Sequence, residues 1–128
     1  MMDRMEVTYD EQKFTELVLY VAEKLSDDRF GGATKLNKVL FFAEFTHVRR
    51  TGKPISGAEF QKLAHGPAPL RLRPVRDALV RSGSAEIRRD DVLEQATHRL
   101  HPLRSADLSV FDAEELATIT SAWMSCTR

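Results

Sequence analysis

Residues 35–54 read KLNKVLFFAEFTHVRRTGKP. Leu36, Val39, Leu40 and Ala43 recur at the three-and-four spacing of a helix with one buried stripe. Phe41, Phe42, Phe45 and Val48 widen that stripe almost around the cylinder, so the helix is expected to be covered on most sides. Gly52 and Pro54 end it, because glycine accepts the left-handed conformation after a helix and proline cannot continue one. On this reading the three phenylalanines are core. Each aromatic side chain carries about 150 to 250 Å² of surface, and a monomer rarely leaves three exposed together.

Upstream, Phe14, Leu17, Val18, Val21, Ala22 and Leu25 form a second stripe, which predicts a surface helix with Lys13 and Lys24 on its outer face. Asp10 can cap it, or Thr8 with Glu11 can form a capping box, and Gly31 and Gly32 break the chain after it. Downstream, Ser56 and Glu59 have capping-box spacing before Phe60 and Leu63, so SGAEFQKLAHGPAP is expected to be a short helix cut at Gly66 and Pro67. RPVRDALVRSG gives a fourth helix, with Pro74 near its start, Val75, Ala78 and Leu79 on one side, and Gly83 at its end. The alternating runs around Ile87 and around Ala96, His98 and Leu100, with Asp90 and Asp91 at a turn, predict a hairpin. Asp112 and Glu115 then mark the start of a last helix, stapled by Phe111 and Leu116, with Ile119 and Trp123 inward. The expected fold is mainly α with a small β-hairpin, an α+β helical bundle over residues 1–128: four helices, a hairpin and a C-terminal helix.

The chain has 128 residues, 42% of them hydrophobic and 30% charged, which is the composition of one soluble domain. Its formal net charge is zero, so the molecule as a whole has no bulk attraction for nucleic acid or an anionic membrane. The charge is uneven, however. Residues 1–46 hold 6 basic and 9 acidic side chains, residues 47–104 hold 12 and 6, and residues 105–128 hold 1 and 4. All four histidines lie in the basic middle. A lone cysteine, Cys126, excludes an internal disulfide and a thiolate zinc cage. No apolar run reaches the roughly 18 residues of a membrane span, and no signal core is evident. A cytoplasmic protein is expected.

No nucleophile elbow, glycine-rich phosphate loop or paired-histidine metal motif is present, so neither a catalytic residue nor a cofactor or metal ligand is assigned. His98 and His101 are three apart, and in a strand an odd separation turns them to opposite faces. Glu44 and His47 lie one helical turn apart without a nucleophile at a related spacing, and are expected to make a surface contact. His65-Gly66-Pro67-Ala68-Pro69 is a stiff bend beside Arg71, Arg73 and Arg76, suited to docking a partner at low entropic cost. Helices followed by a hairpin also suit a winged helix-turn-helix DNA reader, with arginines on the fourth helix. The zero net charge argues against nucleic acid as the partner.

Residues 33–69, ATKLNKVLFFAEFTHVRRTGKPISGAEFQKLAHGPAP, resemble the signature of the Panacea domain, the SocA-like antitoxin family of bacteria, phages and prophages. The resemblance rests on Lys35, Leu36, Lys38, Leu40, Phe42 and Ala43, then Gly52, Pro54 and Ile55, then His65, Gly66 and Pro67. It extends more loosely over about residues 10 to 124. It implies a non-enzymatic helical domain that neutralises a toxin encoded by the adjacent gene in a toxin–antitoxin pair. The toxin itself is not readable, and self-association is left open. Two departures are visible: His65 stands where many relatives have an aromatic, and the chain stops at WMSCTR where relatives often continue in a tail. The partner-facing residues expected from charge and resemblance are Lys35, Lys38, Arg49, Arg50, His65, Gly66, Pro67, Arg71, Arg73 and Arg76.

Overall fold

The computed structural model describes residues 8–28, 32–92 and 95–126. Among them the chain forms α1 (Glu11–Lys24), α2 (Ala33–Thr51), β1 (Phe60–Leu63), β2 (Gly66–Pro69), α3 (Leu72–Arg81), β3 (Ala85–Val92), β4 (Gln95–Pro102) and α4 (Ala113–Cys126), with a 3₁₀ turn at Leu108–Val110. The strands pair as two separate antiparallel hairpins, β1 with β2 and β3 with β4. The fold is α+β, but the third expected helix is absent and the β1–β2 hairpin stands in its place. Gly31, the connection at 93–94 and Arg128 lie outside the described residues.

Helix α1 begins where Asp10, in extended conformation, accepts the Lys13 N–H at 3.0 Å. Its stripe is buried as expected, yet α1 is no surface helix, since Leu19 and Glu16 are buried as well. The reason is a distant partner. Arg104 donates both terminal nitrogens to the Glu16 carboxylate at 2.9 Å, and the Asp107 N–H adds a bond at 2.8 Å. Those bonds hold the Glu16 carboxyl below its ordinary pKa and allow a charged residue to sit under the chain. Lys13 and Lys24 are also engaged. Lys13 Nζ lies 2.9 Å from Glu115, and Lys24 Nζ lies over the rings of Tyr20 and Trp123.

Helix α2 buries Leu36, Val39, Leu40, Ala43, Glu44 and His47. Its phenylalanines are not core. Phe41 is half-buried, while Phe42 and Phe45 are 41% and 46% exposed. They shield one another instead, with Phe41 ring centroids 4.5 Å from Phe45, 5.9 Å from Phe42 and 5.4 Å from Phe60 on β1. Glu44 and His47 make no surface contact either, because both are buried and each binds a different neighbour. His47 Nδ1 is 3.0 Å from the Thr118 hydroxyl of α4.

Glu44 Oε1 accepts the N–H groups of Ile55 at 2.9 Å, Ser56 at 3.1 Å and Gly57 at 3.4 Å. Its Oε2 accepts the Ser56 N–H and a short bond from the Ser56 hydroxyl. Ser56 is thereby taken out of any capping box, and Gly57, at φ 82°, turns the chain into β1 rather than a helix. The same turn receives the N-terminus of α1, since the Asp10 N–H donates to the Ser56 carbonyl at 2.8 Å.

The rest follows local rules more closely. Pro74 falls in the first turn of α3, where a missing N–H is harmless, and Val75 and Leu79 face the core while Ala78 is exposed. Gly83, at φ 76°, follows its last turn. In the β3–β4 hairpin Ile87 opposes Leu100, and Asp90 and Asp91 are paired strand residues opposite Thr97 and Ala96 rather than the turn. Arg99 reaches back from β4 to the α1 carboxyl end, donating to the Leu25 carbonyl at 3.0 Å and the Asp28 carbonyl at 2.7 Å. At α4 the expected capping box is formed in both directions, at 2.7 Å and 2.9 Å. Ile119 is fully buried, and Trp123 packs against the core.

Leu19→Ala should cost about 2 to 5 kcal/mol in denaturant titration, and Phe42→Ala about 1 kcal/mol or less, the reverse of a core α2 aromatic. Glu44→Ala strands several buried N–H groups and should cost on the order of 3 kcal/mol. Burial raises the Glu44 pKa above its ordinary 4.5, outweighing the bonds to Ser56, Gly57 and Ile55. The folded state therefore holds the Glu44 proton more tightly than the unfolded chain does. The stability this confers is complete below pH 4.5 and is lost as pH rises through the raised value. Wild type should gain on Glu44→Gln as pH falls from 7 toward 4.5; a constant difference between the two would contradict the assignment.

Candidate functional site

A cleft of about 700 Å³ opens beside the carboxyl half of α2. One wall is Phe45 and Val48, the next is the 54–58 segment that Glu44 clasps from below, and Phe60, Leu70 and Tyr9 complete it. The lining is mainly apolar, with Glu59 and Arg71 at its edge. Phe45, Val48 and Leu70 in its lining are exposed hydrophobic side chains. Such a concentration on one side of a small protein marks an interaction surface rather than scattered surface hydrophobics.

Arg71 defines the polar rim. Its guanidinium donates to Glu11 at 2.8 Å and lies 5.4 Å from the centre of the Tyr9 ring. Both partners are about half exposed, so the pair orients the rim more than it stabilises the fold. The Arg71 proton is held more firmly than usual by the Glu11 bond, and burial raises the Tyr9 hydroxyl. Neither group is poised to exchange a proton near neutrality.

Of the ten residues expected to face a partner, Arg71 lines this cleft. Lys35 is tied to Asp28 at 2.7 Å, and Lys38 is exposed on the amino-terminal half of α2. Arg50 leans on α4, 3.4 Å from the Thr118 hydroxyl and 3.5 Å from that of Ser121, while Arg49 is exposed. His65 lies in the turn of the β1–β2 hairpin and Gly66 and Pro67 open β2, with Gly66 at φ 122°. Arg73 is exposed on α3, and Arg76 lies 3.5 Å from the carboxylate of its neighbour Asp77. Lys35 and Arg50 are separated by about 22 Å of helix, so the ten do not form one patch.

The residues that do form the cleft, Phe45, Val48, Phe60 and Leu70, were not singled out as contacts by charge. One signal existed. Once positions 36, 39, 40, 43 and 47 account for the buried stripe, 41, 45 and 48 make a second stripe at the same spacing, on a face the core does not cover.

Chemically the mainly apolar lining suits the site to binding. Among the described residues no group of three or more His, Cys, Asp or Glu could hold a metal ion. The Cys126 thiol is pushed up by burial, away from a reactive thiolate. Among the described residues no helix is long and apolar enough to cross a membrane.

No curated protein and no solved structure gives a significant match to the chain. Residues 36–125 match the family described as antitoxin SocA-like, Panacea domain. The match runs from the first core leucine of α2 into the last turn of α4, includes every cleft residue except Tyr9, and covers well over half of the chain. The protein therefore belongs to the SocA-like antitoxin family, of which it carries the Panacea domain.

Proposed function

We propose that this protein neutralises a cognate toxin, encoded by the adjacent gene, by direct protein contact in the cytosol, and that it does so without catalysis. The observation that carries the reading is the apolar cleft beside α2, with Phe45, Val48 and Leu70 open to solvent in a chain whose family is named for antitoxin activity. Apolar anchors in a concave site, with charge at the rim, are the usual carriers of protein–protein affinity. Arg71 joins that rim. Lys35, Lys38, Arg49, Arg50, His65, Gly66, Pro67, Arg73 and Arg76 are proposed as peripheral contacts that tune encounter with an acidic partner.

A second reading, DNA binding, is favoured by one arrangement. Helix α3, with Arg73 and Arg81 exposed, leads directly into the β3–β4 hairpin, as the recognition helix and wing of a winged helix would. Contacts to several phosphates would give a steep loss of affinity with salt.

The deciding experiment co-expresses the chain with the product of the neighbouring gene. Growth arrest by that product should be relieved, and the two proteins should co-purify. Val48→Glu and Leu70→Glu should each weaken the complex by about tenfold or more while moving stability by about 1 kcal/mol or less, since both side chains are exposed. Arg73→Glu with Arg81→Glu should slow encounter, through the peripheral contact at Arg73, without abolishing rescue. Rescue that survives both cleft changes would displace the contact from α2. Retardation of a specific duplex at physiological salt, abolished by the α3 pair, would establish the DNA reading instead.

A further inference from the structure

Strand β1 has an open edge. The Leu70 N–H donates to the Glu59 carbonyl at 2.9 Å, and the register pairs Gln61 with Ala68 and Leu63 with Gly66. In an antiparallel ladder, positions that exchange hydrogen bonds alternate with positions that do not. Residues 59, 61 and 63 therefore turn their backbone groups toward β2, and Phe60 and Lys62 turn theirs outward. Among the described residues nothing pairs with those outward groups.

The other edge of the hairpin is closed. Pro69 and Pro67 stand opposite Phe60 and Lys62, where they offer no outward N–H, and β2 packs along α2. The open edge also carries two uncommitted charges. Glu59 and Lys62 are exposed and form no ion pair among the described residues. Being three apart in extended chain, they lie on opposite faces. Lys62 shares its face with Phe60, whose ring meets Phe41 and Phe45, and Glu59 shares its face with exposed Leu63.

The geometry points to β1 as the place where the protein partner adds an extended segment as a third strand. This rests on the protein-contact reading above and names the form the contact takes. Outward donors and acceptors that repeat every two residues, about 6.8 Å along the strand, match the backbone of another strand. A helix, whose backbone groups are already bonded internally, leaves them unmet. The charges fix the side chains of the incoming segment: a cation across from Glu59, an apolar residue across from Phe60 and over the Phe45 end of the cleft, a carboxylate across from Lys62, and a second apolar residue across from Leu63.

Amide hydrogen exchange of the full chain, alone and bound to the co-expressed product of the neighbouring gene, tests this directly. In the chain alone the Phe60 and Lys62 amides should exchange fast while those of Gln61 and Leu63 are protected by β2; in the complex the first two should slow by about tenfold or more. Lys62→Pro removes the outward N–H and no bond to β2, so it should weaken the complex by about tenfold or more with an unchanged melting temperature. Lys62→Ala, which keeps the N–H, should lose less. A complex that forms without altering exchange at Phe60 and Lys62, and that tolerates Lys62→Pro, overturns strand addition and leaves toxin binding standing. Protection of both amides in the chain alone also overturns it, with sedimentation separating a second copy from an intramolecular cover. If no complex forms, the contact reading and the strand fall together.

Discussion

The Glu44 carboxylate, sunk behind α2, is the joint on which the molecule turns. It gathers the N–H groups of Ile55, Ser56 and Gly57, and the Ser56 carbonyl in turn receives the Asp10 N–H at the start of α1. A single side chain thus fixes the exit from α2, the entry to the β1–β2 hairpin and the position of α1. Burying a carboxylate is costly unless its oxygens are satisfied, and here both are. The cleft lies on top of this joint, so its 54–58 wall is held by a buried polar contact while Phe45 and Phe60 pack against one another on the other side.

That arrangement explains how α2 serves two purposes. One face, from Leu36 to His47, closes against α1 and α4, while the opposite face carries Phe42, Phe45 and Val48 into solvent. Phe41 and Phe60 back the aromatics with ring contacts at 4.5 to 6.1 Å. Aromatic side chains already packed against one another have less conformational entropy to lose when a partner covers them. Helix α1, which supplies much of the core, lies outside the segment matched to the family.

Legibility in the sequence followed the range of the interactions. The capping box of Asp112 and Glu115 spans three residues and was readable as a pattern, as were the α1 stripe and the β3–β4 hairpin. The burial of Glu16 was not, because its partner Arg104 is 88 residues away. Ser56 and Glu59 have the spacing of a capping box, but Ser56 is claimed by Glu44, 12 residues earlier, and a hairpin forms where a helix was expected. Counting aromatics placed three phenylalanines in the core; pairing them with Phe60 across a turn, which no local pattern reveals, keeps them outside. Charge found Arg71 at the rim and missed the apolar walls, since a cleft is made by elements that meet only after folding.

The proposed contact is the α2 cleft and not the α3–β3 arginine face. Side-chain NMR of the chain with and without the co-purified product of the neighbouring gene addresses it most directly. The resonances of Phe45, Val48 and Leu70 should shift or broaden on complex formation while those of Val80 and Ile87 stay in place. Shifts confined to Val80 and Ile87, with the cleft signals unmoved, would contradict it.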